Sequence, residues 1–422
     1  SLNPEKLFVP GSVTKLFSGA AALVNLGSEY RFVTPVFQRG KLGADGALEG
    51  DLIIRASGDP DLSGRLTADG HLLFTNHDHT YSGLYASQGS SAELTNTDVY
   101  AGIDDLVLKI KAAGIRSVKN ILIDDRLFEH GQSGGSPPEQ VNPMVVNDHL
   151  VDVTISPGGR EGEPARVVIR PETSFLKFEN KARTSAPGQN GLLEVREVSP
   201  RNFQITGLIA ADRAPVVRSI EIEKATEFAR AIFIERMRKA GIAVAADIAS
   251  IPDRAQLPAD DDYSKLTQVA AHSSPPFRES LKVILKVSHN NHAHMLPLLG
   301  ALPKGIRTYR AAMKYQGETL SKLGVDTKSI SLGDGEGGDQ GDLLSPTVTI
   351  QLLKAMRGIE SANPDTLPGV FGDGDWGNKN LLPDATLADL IEHFSTRTLS
   401  IANLPEDELG NGYEYLIKKF AD

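Results

Sequence analysis

The run Phe8-Val9-Pro10-Gly11-Ser12-Val13-Thr14-Lys15-Leu16-Phe17-Ser18-Gly19-Ala20-Ala21-Ala22-Leu23 constrains this chain more than any other segment. A Pro-Gly turn opens a helical stretch whose side chains are mostly small, so the helix can pack deep in a core. Residues three apart share a helix face, which sets the Lys15 amine against the Ser12 hydroxyl. A serine hydroxyl is a poor nucleophile until a base takes its proton. A lysine can be that base when burial or nearby positive charge lowers its pKa.

Ser-x-x-Lys is the pattern of serine acyl transfer without a histidine base, but the four residues alone carry limited weight. The same spacing occurs at Ser174-Phe175-Leu176-Lys177, in a strand-like stretch with no turn before it. Ser12 read on its own also fits an ordinary helix cap. A second element strengthens the catalytic reading. Ser288-His289-Asn290 follows a helical pattern of Leu281, Ile284, Leu285 and Val287 and precedes the apolar segment Met295 to Leu299. A serine–lysine pair needs a further hydroxyl or amide to relay protons and hold a substrate amide. Ser288 and Asn290 supply both and point to one side if the local chain is extended. Alone, Ser-His-Asn also fits a plain helix-to-loop junction.

With both elements in hand, the chain resembles a class C penicillin-binding protein, the D-alanyl-D-alanine carboxypeptidase/endopeptidase family that includes penicillin-binding protein 4. Val9 to Leu16 resembles the family's Pro-Ala-Ser-x-x-Lys block. Leu26-Gly27, Tyr30-Arg31-Phe32, Gly50-Asp51-Leu52 and Ser57-Gly58-Asp59-Pro60-Asp61-Leu62 resemble the blocks that follow. Ser274-Pro275-Pro276 through Asn290 is similar to its second block. Gly333-Asp334-Gly335-Glu336-Gly337 with Leu344-Ser345-Pro346 resembles its Asp-Gly-Ser-Gly and Ser-Pro segment. The resemblance covers about residues 1–375 and implies an α+β fold: a serine β-lactamase/transpeptidase-like domain interrupted by largely β accessory domains.

The resemblance also implies roles. Ser12 would be the acylated nucleophile, Lys15 its base, Ser288 the proton relay and Asn290 a substrate-amide contact. The implied partners are peptidoglycan stem peptides ending in D-Ala-D-Ala, and β-lactams that acylate Ser12. No cofactor or metal is implied, and the implied location is periplasmic or extracytoplasmic. A departure concerns the family's third element, a Lys-Thr-Gly or close variant whose cation holds the substrate carboxylate. No such tripeptide occurs in the chain, and spacing would place it near Thr396-Arg397-Thr398, which makes Arg397 the candidate substitute. Those residues lack the glycine that lets substrate backbone approach closely.

From about Asn378 to Asp422 the chain resembles a segment of the modification subunit of type I restriction enzymes, without any methyltransferase motif. The expectation is a carboxypeptidase-like body with a foreign helical tail, from a chimeric or truncated gene; an unusual native helical end is the alternative. The expected divisions are 1–57 and 266–376 for the transpeptidase-like domain, 58–265 for the insert and 377–422 for the tail.

Composition fits a multi-domain enzyme: 422 residues exceed one core, and hydrophobic residues make up 40%. A net charge of −10 with interspersed signs argues against nucleic-acid binding, and no apolar run is long enough to span a membrane. The first residue is Ser1 and no signal peptide is evident, so a processed or trimmed start is expected; zero cysteines exclude disulfides. Helices are expected at Ile103 to Ala113, Arg307 to Leu323 and Thr347 to Ile359, with strands at Phe32 to Phe37, Leu48 to Ile54 and Ile121 to Ile123. His77, Asp78 and His79, like His289, His292 and His294, are spaced as metal ligands but read as solvated loops. Gly333 to Gly341 reads as a tight turn, and Asp124-Asp125-Arg126 as a strand end. Two classes of function stay open: an active serine hydrolase, with β-lactamase or esterase variants, and a non-catalytic wall-binding remnant whose catalytic sheet is incomplete.

Overall fold

The computed structural model describes residues 4–62, 64–75, 79, 94–129 and 141–362. His77, Asp78, Arg397 and the expected helical tail lie outside these. Residues 1–357 form one compact unit and residues 358–422 a second.

Small side chains decide how the helices meet. A 3-10 turn at Gly11–Val13 runs into α1 (Thr14–Leu26), which ends at Gly27 with φ +87° and a bond from its N–H to the Leu23 carbonyl. Phe17 and Ala20 to Leu23 are buried, so almost the whole middle of α1 is core. Around it lie α4 (Phe277–Val287), α5 (Asn290–Ala301) and α6 (Tyr309–Lys322). A Cβ placed on Gly19 would sit 2.9 Å from Leu281 Cδ1, and one on Gly300 would sit 3.0 Å from Ala22 Cα. Larger residues would hold these helices apart, and the close approach depends on the small-residue stripe. Pro297, inside α5, offers no N–H to the Ala293 carbonyl, and Gly335 packs against that carbonyl so closely that its Cβ would lie 2.4 Å away. A further helix, α7 (Pro346–Ala362), follows the Gly-rich loop.

The largest sheet has five strands, in the order β12 (Ala243–Val244), β3 (Ser117–Asp124), β2 (Ala47–Arg55), β1 (Val33–Leu42) and β13 (Thr267–Ser273). β1 and β2 form a hairpin with Val36 opposite Ile54 and Leu42 opposite Leu48, while β2 and β3 run parallel. Alternation sends Leu52, Ile54, Ile121 and Ile123 toward α2 (Ala101–Ala112) and α3 (Ala225–Lys239), where Ile103, Leu106, Phe228 and Ile232 complete the core. Ile53 and Leu122 face the other way, onto Tyr263. The sheet thus takes strands from before residue 57, from within 58–265 and from after 265.

The rest of the β structure is small. One sheet is ordered β11 (Val216–Glu221), β4 (Leu150–Ser156), β5 (Arg166–Arg170), a second β6 (Lys177–Asn180), β9 (Asn202–Thr206), β8 (Glu194–Ser199). A parallel pair joins β7 (Arg183–Ser185) to β10 (Leu208–Ala210). They share a core of Val153, Ile155, Ile205, Ile209 and Val216. Ser174 lies in a turn ahead of β6 rather than within a strand, and its hydroxyl donates to Glu235 Oε1 at 2.7 Å, far from any lysine contact.

Candidate active site

Ser12 stands on the 3-10 turn that starts α1, half-buried, with Gly11 at φ +52° behind it. One turn on, Lys15 is buried, and its Nζ donates to Ser12 Oγ at 2.9 Å. From the other side Ser288 Oγ donates to the same Ser12 oxygen at 2.8 Å. The two sequence elements therefore meet on one atom.

Ser288 reaches that position by a route the sequence reading did not anticipate. The segment is not extended: Ser288 caps α4 at φ +58°, ψ +44°, and His289 at once becomes the N-cap of α5. One helix ends and the next begins within two residues, and a left-handed residue is a common way to end a helix so abruptly. Asn290 is then the first residue of α5, half-buried, and its side chain makes no hydrogen bond among the described residues. It lies two residues beyond Ser288, and the hydrogen bonds described at Ser12 and Lys15 do not include it.

A loop, residues 333–342, closes the far side of Lys15. Nζ also donates to the Glu336 main-chain oxygen at 3.0 Å, and Ser18 Oγ donates to the Gly335 oxygen at 2.6 Å. The loop is wound around Asp334, whose carboxylate accepts from the N–H groups of Glu336, Gly337, Gly338 and Asp339 at 2.5–3.0 Å. Gly337, at φ +96°, comes so near the nucleophile turn that a Cβ would lie 1.8 Å from the Gly11 oxygen. Burial lowers the Lys15 pKa to about 8, with Glu336 and Asp334 pulling the other way. A group with that pKa keeps on the order of a tenth of its population as free amine at pH 7, enough to serve as a base.

The buried histidines fall into two groups. Asp148, His289 and His292 bring ligand atoms within 4.8 Å of one another, as do His294, Asp334 and Glu336. In the first group Asp148 already accepts from Arg65 at 2.9 Å, His79 at 2.7 Å and His292 at 2.7 Å. A guanidinium on the same carboxylate repels a further cation. Residues Asn147, Asp148 and His149 all have positive φ, between +47° and +62°, and this strained turn aims Asp148 inward at those partners. In the second group Asp334 spends both oxygens on backbone N–H groups. Neither arrangement is assigned to a metal. The reading of these histidines as solvated loops is corrected: His79, His289, His292 and His294 are all buried.

The structure brings together Ser12, Lys15 and Ser288, all named from sequence, and sets beside them Glu336, which was not among the sequence candidates. Its loop was legible as a tight Gly/Asp turn, which it is. The signal available was a glutamate at the place of the serine in the family's Asp-Gly-Ser-Gly.

Comparison with known proteins places this site within a family. A model of the family described as D-Ala-D-Ala carboxypeptidase 3 (S13) matches residues 2–369. The chain is 27% identical over 362 residues to a D-alanyl-D-alanine carboxypeptidase of Actinomadura sp. strain R39, covering 82% of this chain and 59% of that protein. It is 22% identical over 372 residues to D-alanyl-D-alanine carboxypeptidase DacB of Haemophilus influenzae, covering 83% and 67%. The chain thus spans well under two thirds of the first relative's length. Penicillin binding protein 4 from H. influenzae superposes with a TM-score of 0.61 at 20% identity, covering 85% of this chain and 72% of that one, which shows the shared fold.

Proposed function

This chain belongs to the D-Ala-D-Ala carboxypeptidase 3 (S13) family, and on that premise we propose that it is a serine hydrolase of peptidoglycan stem peptides working through an acyl-enzyme on Ser12. The observation that carries the reading is the shared oxygen: Ser12 Oγ lies 2.9 Å from Lys15 Nζ and 2.8 Å from Ser288 Oγ.

In the proposed reaction the Lys15 amine takes the Ser12 proton as Oγ attacks the carbonyl of the penultimate D-Ala. The tetrahedral oxyanion is held by backbone donors that include the Ser12 N–H. Collapse breaks the peptide C–N bond, and the departing amine of the terminal D-Ala receives its proton by way of Ser288, leaving an ester on Ser12. Water then adds to the ester with Lys15 as base, and Ser12 regains its proton. Crosslinks would be cut by the same steps, and a β-lactam would stop at the ester stage. Asn290, two residues after the relay serine, is the proposed contact for the substrate amide; Arg397, the sequence candidate for holding the terminal carboxylate, lies outside the described residues. Such substrates place the protein outside the cytoplasm. Among the described residues no helix is long and apolar enough to cross a membrane.

Labelling with a fluorescent penicillin tests the proposal. The chain should take up one label that resists denaturation, Ser12→Ala should abolish it, and Ser174→Ala should leave it intact. A well-folded chain that takes up no label refutes the hydrolase reading in favour of a non-catalytic wall-binding role.

A further inference from the structure

We propose that Glu336 is a positioning residue for the acyl transfer: its carboxyl, buried behind Lys15, sets how much of the lysine is present as free amine. This deepens, and rests on, the acyl-enzyme reading above.

The geometry ties the two residues together. Lys15 is held by the main-chain oxygen of Glu336 at 3.0 Å, so the carboxyl belongs to the very residue that anchors the base. The Glu336 side chain is only 7% exposed. Its Oε2 is buried without a hydrogen-bond partner among the described residues. Its Oε1 lies 4.0 Å from Nδ1 of His294 on α5, and both ring nitrogens of His294 are likewise without a partner. A buried carboxylate oxygen without a hydrogen-bond partner is costly unless a cation acts on the group or a proton sits on it.

The other groups facing this point are committed elsewhere. Asp334, on the same loop, is saturated by four backbone N–H groups. Asp342 accepts from the Gly333 N–H and from Thr14 Oγ1 of α1, with Asp334 and then Asp339 as its charged neighbours. Tyr309 of α6 bonds the His294 carbonyl and the Gly335 N–H, and stacks on the His294 ring at 4.9 Å. Burial keeps His294 neutral, with its pKa lowered to about 4. Lys15, bonded to the main-chain oxygen of the same residue, is therefore the cation that acts on the Glu336 carboxyl. Burial raises the Glu336 pKa to about 7 against the pull of Lys15, with Asp334 and Asp342 adding to the rise, while burial brings Lys15 down to about 8. The two groups titrate over one range, so a single proton can rest on either: ammonium with carboxylate, or amine with carboxylic acid. The second arrangement is the one that can accept the Ser12 proton.

The test compares the full-length chain with Glu336→Gln. The rate of penicillin acylation is followed from pH 5 to 10, and the Lys15 side-chain NMR signal, assigned with Lys15→Arg, is titrated over the same range. Removing the negative charge should let Lys15 lose its proton at lower pH. Both midpoints should fall by up to about one unit, and acylation between about pH 7 and 8, where Glu336 is charged in the wild type, should rise several-fold. Glu336→Asp, which keeps the charge, should stay near the wild-type midpoint. Unmoved midpoints in Glu336→Gln, or an equal shift in Glu336→Asp, would overturn the proposal. Should the glutamine variant fail to fold, Glu336→Ser removes the same charge with a smaller side chain. A wild-type chain that takes no label yet shows the NMR shift would refute the acyl-enzyme reading and leave the electrostatic link intact. A labelled chain with unmoved midpoints would refute the link alone.

Discussion

Ser288 Oγ lies 2.8 Å from Ser12 Oγ although 276 residues separate them in the chain. The hydroxyl is presented from a left-handed residue between two helices. The same conformation is disfavoured for any residue with a Cβ. Function and local stability therefore pull against each other at this position.

Ser288→Gly should reveal the conflict. Glycine relieves the strain at φ +58° and should stabilise the chain by about 1 kcal/mol in denaturant unfolding. The loss of the hydroxyl should slow penicillin acylation on the order of 10²–10⁴-fold. Ser288→Ala should show the same slowing without the gain in stability. Acylation at the wild-type rate in either variant would remove Ser288 from the relay.

Gly337 should tolerate no side chain. A Cβ there would overlap the Gly11 oxygen, and the backbone is at φ +96°. Gly337→Ala must push the loop away from the turn that carries Ser12, costing on the order of 1–3 kcal/mol and lowering acylation. Gly188, at φ +74°, would meet nothing within 4 Å. Gly188→Ala is the matched control and should cost about 1 kcal/mol with acylation unchanged.

The buried ion network makes stability depend on pH from both sides. Burial opposes charge on His79, but Asp152 and Asp148 outweigh it and raise its pKa to about 9. That contribution is complete below the unfolded value of about 6.5 and is lost as pH rises toward 9. Burial lowers His289 to about 3 and His149 to about 4. The unfolded chain takes up those protons first, so stability falls as pH drops from about 6.5. Unfolding midpoints in urea should therefore peak near pH 6.5. Asp148→Asn, which strips the charge facing Arg65 and His79, should cost about 3–5 kcal/mol. A midpoint that is flat across this range would count against the network.

Much of the site was legible because its signals are local. Ser12 and Lys15 are one turn apart, so a helix start alone places them together. The small-residue run from Gly19 to Ala22 announces close helix packing. Ser288 was identifiable by its tripeptide, although not by its backbone, since the reversal between α4 and α5 depends on what both helices pack against. The decoy Ser174 has the same spacing as Ser12, and its turn gives its hydroxyl to Glu235 instead. The histidines looked like surface residues because nothing in their own neighbourhood shows that Asp148, Asp152 and Arg65 converge on them.

The sequence by itself determined which residue types sit at the start of α1 and at the head of α5, and hence the kind of chemistry available. Only the tertiary structure decided what lies behind Lys15. The charge state of a buried amine depends on the carboxyls within a few ångströms of it. In this chain those come from Asp334 and Glu336, more than 300 residues further on, and no spacing rule reaches that far.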